Sequence, residues 1–159
     1  MQTRTLSLEY RELDPGDLDA ATRSLHDAAR AATRGAYAPY SRFRVGAAAE
    51  LESGELVSAA NLENAAYPQC LCAEAALLGT LHSQHAAHRV RRLAIAVDAP
   101  TPRKEVAAPC GSCRQQLVEL ERRQGSPVAL HLLRGGPQDG AVAFAAVADL
   151  LPFGFALEV

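Results

Sequence analysis

Three cysteines and one glutamate place the strongest constraint on this chain. Cys72-Ala73-Glu74 is separated by a long stretch from Pro109-Cys110-Gly111-Ser112-Cys113. A fold that uses these thiols together must bring two remote segments to one point. Three thiolates can hold one zinc ion and leave a position open for water, whereas structural zinc is normally closed by four protein ligands. A carboxylate two residues after the first cysteine can move protons beside such a site. Cys70 is the remaining cysteine. A C-x-C pair with Cys72 asks for unusual geometry at a helix start, so Cys70 is expected as a small packed residue near the pocket. The plainer alternative is a closed zinc clip with Cys70 as fourth ligand and Glu74 as an ordinary first-turn carboxylate.

Helical and strand patterns alternate around these motifs. Asp14-Pro15-Gly16-Asp17 suggests a turn and a helix cap, followed by Leu18, Ala21, Leu25, Ala28, Ala29 and Ala32 at helical spacing until Gly35. Tyr37-Ala38-Pro39-Tyr40-Ser41 is a loop, because proline keeps its predecessor out of the helical region. Val45–Leu51 and Leu56–Ala60 flank the turn Glu52-Ser53-Gly54-Glu55 and predict a hairpin. After an irregular Asn61–Leu71 come a helix over Cys72–His85, a strand over Arg92–Val97 and a proline-bearing loop over Ala99–Ala108. Cys110 and Cys113 open another helix, and Val128–Leu133 and Ala141–Ala145 are strands about Gly135-Gly136. This order predicts an α/β fold, a three-layer α/β/α sandwich on a five-stranded mixed sheet. Residues 1–159 form one domain, with 1–13 as an N-terminal arm. Cysteines at two helix starts favour thiolates, because unpaired N–H groups give those ends partial positive charge.

A formal net charge of −2 offers no polycation for gripping phosphates, which points away from nucleic acid and toward a small molecule. Met1–Tyr10 contains no apolar block of the secretory kind, and clustered thiols suit a reducing, cytoplasmic setting. Ala141–Leu157 is apolar but is broken by Asp149, Pro152 and Gly154, so no membrane segment is expected. His82, His85 and His88 fall where a helix should end, a position in which histidines more often favour the helix C-terminus than hold a metal.

C-x-E joined to P-C-x-x-C is the known mark of zinc-dependent nucleobase deaminases. The chain resembles the small homotetrameric cytidine deaminases from about Leu18 to Phe155. The blocks that carry the resemblance are Tyr37–Ala48, Asn61-Leu62-Glu63-Asn64-Ala65-Ala66-Tyr67-Pro68, Cys72-Ala73-Glu74, Pro109–Gln115, and Leu150-Leu151-Pro152 with Phe155. The resemblance implies one zinc ion per subunit on Cys72, Cys110 and Cys113, with Glu74 as proton shuttle. It implies that Asn61 and Glu63 bind the ribose hydroxyls, that Phe43 lines the pocket, and that the Ala65 and Tyr67 backbone seats the nucleoside. Phe155 would stack on the base in a neighbouring subunit's site. The implied activity is hydrolysis of cytidine and 2′-deoxycytidine to the uridines with release of ammonia, a step of pyrimidine salvage.

One position departs from the family. Ala75 stands where an arginine commonly contacts the zinc-bound thiolates, and Arg44 or Arg114 is expected to take over part of that work. Blasticidin S deaminases share this departure but do not as a rule keep the Asn-x-Glu-Asn block. A deaminase of a modified cytosine nucleoside or an aminonucleoside antibiotic is therefore the alternative. A zinc-stabilised binding protein without turnover is a second.

Overall fold

The computed structural model describes residues 1–100, 106–136 and 138–157. The expected loop Ala99–Ala108 therefore lies partly outside the described residues. The elements run β1 (Arg11–Leu13), α1 (Ala20–Ala32), β2 (Arg44–Leu51), β3 (Leu56–Ala60), α2 (Ala73–Gln84), β4 (Val90–Asp98), α3 (Gly111–Gln124), β5 (Ala129–Leu133) and β6 (Ala141–Phe144).

The strands form one mixed sheet in the order β1-β6-β5-β4-β2-β3, with β4 and β5 parallel and the other pairs antiparallel. The mixed sheet and its helical layers match the expectation, but the strand count is six rather than five. The additional strand comes from the supposed arm, where Arg11–Leu13 pairs with Ala141–Ala143 of β6. Three residues give too short an alternation to signal a strand, and pairing with a preformed edge supplies what the local sequence lacks. The expected cap also moves. Asp19, not the Asp14–Asp17 turn, caps α1, its Oδ1 accepting from Thr22 N at 2.6 Å.

Alternation along the inner strands divides the core. Ala47, Ala49 and Leu51 of β2, with Leu93 and Ile95 of β4, face α2 and α3, where Leu77, Leu81, Leu117 and Leu120 cover them. Ala48 of β2, with Ala94 and Ala96 of β4, faces α1 through Leu25 and Ala29. Burial on both faces explains why β2 is an unbroken apolar run from Ala47 to Ala49 rather than an alternating one. Gly46 permits the closest approach, since a Cβ there would lie 2.2 Å from Ala29 O and 2.7 Å from Thr33 N. Only glycine lets α1 press so tightly on the strand.

The topology also sets where the chemistry falls. β3 and β4 are both antiparallel to β2, so they run in the same direction. α2 follows β3 and α3 follows β4. The two helices therefore begin at the same edge of the sheet, beyond the carboxyl ends of strands that share a direction. Open α/β sheets commonly bind ligands at such an edge.

Candidate metal centre and active site

Cys72 is the N-cap residue of α2 and Cys110 that of α3, each with extended backbone before the helix begins. Neither helix start has a side-chain cap, so the first N–H groups are left without a side-chain partner at the end where the cysteines stand. Cys113 follows one turn into α3 and is buried. The three sulfurs lie within 4.8 Å of one another, and Cys72 Sγ is 4.0 Å from Cys110 Sγ.

Crowding divides the protons unevenly. Hydrogen bonding from Cys113, opposed by burial and by Glu74, lowers the Cys72 thiol to about 6. Cys113 is pushed strongly upward, because its proton is held by Cys72 and burial penalises a second thiolate. A trio of sulfurs that shares negative charge this reluctantly is completed by a cation. Soft thiolate donors in this number suit zinc.

Glu74 sits one residue inside α2 and is 7% exposed. Ala47, Leu77, Leu78, Leu93, Ile95 and Leu117 line the small cavity that it enters. Burial raises its pKa above the ordinary carboxylate value, against a smaller opposing hydrogen bond from its own backbone. Among the described residues no basic side chain pairs with it.

A backbone bridge ties the segment carrying Asn61 and Glu63 to the residue before Cys72. Leu62 and Leu71 exchange two hydrogen bonds of 2.9 Å, which sets Asn61 and Glu63 on either side of a residue paired with the neighbour of Cys72. Asn61 Oδ1 accepts from Val45 N at 2.8 Å, and its Nδ2 donates to Phe43 O at 3.0 Å. Glu63 accepts from Ser41 Oγ, and from Tyr40 N at 2.9 Å and Ser41 N at 3.3 Å. The Ser41 hydroxyl, followed by the two backbone N–H groups, holds the Glu63 carboxylate below its usual pKa. Asn61 and Glu63 thus brace the loop carrying Phe43, and each keeps lone pairs beyond those used here. Phe43 is half-buried, while Ala65 and Tyr67 are exposed around a short turn. Phe155 is also exposed, and its backbone is fastened to Gln115 of α3.

Several expectations change. Cys70 is exposed rather than packed, and its sulfur accepts from Asn64 N at 3.2 Å, outside the trio. The Asn64 backbone draws the thiol outward along the loop. Arg114 gives Nε to Pro109 O at 2.8 Å and Nη1 to Leu150 O at 3.1 Å. Among the described residues neither Arg114 nor Arg44 donates to a cysteine sulfur, so the role left by Ala75 is not taken over by either. Ala75 instead lines an open groove with Gly79, His82 and Gln115. His82 accepts from Arg123 Nη1 at 3.4 Å and His85 faces Glu55 at 3.8 Å, in keeping with helix-end histidines. Ser41 and Gln115 were given no separate role in the sequence. The signal available was their place inside the Tyr37–Ala48 and Pro109–Gln115 blocks.

Two helix starts that carry three thiols to one point, beside a buried carboxylate, define a metal-dependent hydrolytic centre in an α/β/α sandwich. A profile described as the cytidine and deoxycytidylate deaminase zinc-binding region matches residues 20–125. The chain belongs to this family of zinc-dependent deaminases. It is 40% identical over 141 residues to cytidine deaminase of Mycobacterium tuberculosis strain H37Rv, a match covering 88% of this chain and 93% of that one. To cytidine deaminase of Halalkalibacterium halodurans it is 37% identical over 127 residues, covering 80% and 88%. The crystal structure of cytidine deaminase from Burkholderia pseudomallei superposes with a TM-score of 0.66 at 36% identity, covering 83% of this chain and 97% of that one. The crystal structure of the Mycobacterium tuberculosis enzyme gives 0.65 at 37% identity, covering 87% and 100%.

Proposed function

We propose that this protein converts cytidine and 2′-deoxycytidine with water to uridine and 2′-deoxyuridine, releasing ammonia. The observation that carries the reading is the cluster of three sulfurs within 4.8 Å at two helix starts, with buried Glu74 two residues after the first. Cys72, Cys110 and Cys113 would hold one zinc ion. Bound there, zinc supplies Lewis acidity that makes a water molecule a better nucleophile near neutral pH.

The remaining work belongs to the chain. A Glu74 carboxylate oxygen accepts a proton from the attacking water and delivers it to the ring nitrogen beside the reacting carbon. The Glu74 carboxylate then takes the proton of the hydroxyl now on that carbon and hands it to the exocyclic amine as the carbon–nitrogen bond breaks, so that ammonia departs, the carbonyl remains and the ring nitrogen keeps the first proton. The apolar wall around Glu74 keeps bulk water from short-circuiting these transfers. Asn61 and Glu63 read the ribose hydroxyls while bracing the loop that presents Phe43, and the Ala65 and Tyr67 backbone seats the nucleoside.

Exposed Tyr37, Tyr40, Leu62, Tyr67, Leu71, Phe153 and Phe155 support a homotetramer, because so many large apolar groups suit burial between copies. In that assembly Phe155 covers the base in a neighbouring site, and the closed pocket admits a free nucleoside rather than a polynucleotide. Among the described residues no helix is long and apolar enough to cross a membrane. The free, clustered thiols suit a reducing compartment and support the reading of a cytoplasmic enzyme of pyrimidine salvage. The test is a panel of cytidine, 2′-deoxycytidine, adenosine, single-stranded DNA and blasticidin S on zinc-loaded protein, scored by ammonia release. Turnover of the two cytosine nucleosides is expected. Zinc binding without ammonia from either would sink the reading.

A further inference from the structure

Phe155 has no regular secondary structure around it and little packing of its own. Its side chain is 66% exposed, and the flanking Phe153 and Leu157 are 99% and 76% exposed. Yet its backbone is tied at both ends of one peptide-like pair. Gln115 Nε2 donates to Phe155 O at 2.8 Å, and Phe155 N donates to Gln115 Oε1 at 3.1 Å. This is the exchange that a neighbouring strand would make, supplied here by a single side chain. Gln115 lies on α3, two residues beyond Cys113. Its neighbour Arg114 holds Leu150 O and Pro109 O, the latter just before Cys110. The start of the metal-bearing helix therefore anchors the terminal segment at two places.

We infer that Gln115 is a positioning residue for substrate binding, fixing the Phe155 backbone to the helix that carries Cys113 so that the aromatic ring is presented at a set height and direction. The inference rests on the proposed role of Phe155 in covering the base. An amide is suited to this task because it both donates and accepts within one flat group. Methionine in its place does neither, and glutamate retains only the acceptor half. Through Phe155, Gln115 governs how tightly substrate is held and not the proton transfers at Glu74, so its removal should appear in KM rather than kcat.

The test compares zinc-loaded Gln115→Met, Gln115→Glu, Phe155→Ala and the double variant Gln115→Met/Phe155→Ala. Gln115→Met should raise KM by roughly tenfold, the scale of two lost hydrogen bonds, with kcat within about threefold of the parent. Gln115→Glu should fall between the two. The Phe155 amide should lose protection from hydrogen exchange in Gln115→Met, with zinc content and assembly mass unchanged. The double variant should be no worse than Phe155→Ala, since the glutamine acts through that residue. If Phe155→Ala is impaired while Gln115→Met keeps the parent KM and amide protection, the inference fails alone. Should Phe155→Ala itself keep the parent KM, the proposed role of the ring fails and the inference with it.

Discussion

The two faces of the sheet bury titratable groups in opposite ways. On the α1 face the buried groups Glu50, His26 and His131 each have a partner. Glu50, 5% exposed, is bonded to Arg92 Nε, while Arg92 Nη1 donates to Thr22 Oγ1 at 2.6 Å. His26 Nε2 and His131 Nδ1 meet at 2.8 Å. On the α2/α3 face, Glu74 enters an apolar cavity without a basic partner among the described residues, and the three thiols, of which Cys113 is buried, crowd together with no hydrogen bond from a cationic side chain of the described residues. Buried charge costs several kcal/mol unless it is paired. The first face meets that cost internally and is structural. The second leaves it to be met from outside, as a site for a metal and a proton-accepting substrate requires.

The contrast is most exposed at Glu74. Replacement by glutamine should lower kcat by about 10³-fold, within the usual range for a general acid–base group, while zinc stays bound. Ammonia release and metal analysis on the same sample check both halves. Removing the metal should come next in size. At a thousandfold excess over Kd, zinc contributes about 4 kcal/mol, or roughly 10 °C in Tm for a chain of this length. Thermal melts before and after chelation measure it, and an unchanged Tm would mean that the thiol trio does not need a cation to balance it.

On the α1 face, Arg92→Met leaves buried Glu50 with only the exposed Arg91 guanidinium, 3.8 Å away, and should destabilise the fold by about 3 kcal/mol in urea unfolding. Glu74→Gln should cost nothing comparable, because no ion pair is lost. Equal losses at the two positions would erase the distinction between the faces.

The histidine pair gives the smallest and most pH-specific effect. Burial, with the Arg30 and Arg92 charges, lowers His26 from 6.5 to about 4. Burial, then His26, Arg92 and Arg11, lowers His131 to a similar value, with Asp27 and Asp19 opposing for the respective rings. The folded state therefore binds fewer protons than the unfolded state in this range. The stability is complete above pH 6.5 and is lost progressively as pH falls toward 4. Once both rings are charged, two N–H groups confront each other and the bond between them is lost. His131→Gln should flatten the decline between pH 6.5 and 5 at a cost in stability near pH 7.5, read from urea midpoints across the range.

Legibility followed the range of the interactions. α2 and α3 were clear because leucine spacing and the cysteine-bearing starts lie within a few residues of one another. The β2–β3 hairpin was clear because Ser53-Gly54 sits between two apolar runs. β1 was not, since its three residues become a strand only by pairing with Ala141–Ala143. The position of Cys70 was not legible either, because it depends on the local path between Asn64 and Cys70. The absence of an arginine at Ala75 was visible at once, but whether another guanidinium replaces it was a question of reach. Arg114 is spent on Pro109 and Leu150.

By itself the sequence determined the donor types, their spacing and the helix starts on which they stand, because those are local properties of side chains and backbone. It also determined the family, through motifs too specific to arise separately. Only the tertiary structure decided that α2 and α3 open at one edge, that Glu74 meets an apolar wall, and that Gln115 grips Phe155 forty positions away. Each of these depends on strand direction and packing between remote segments, which no stretch of sequence encodes alone.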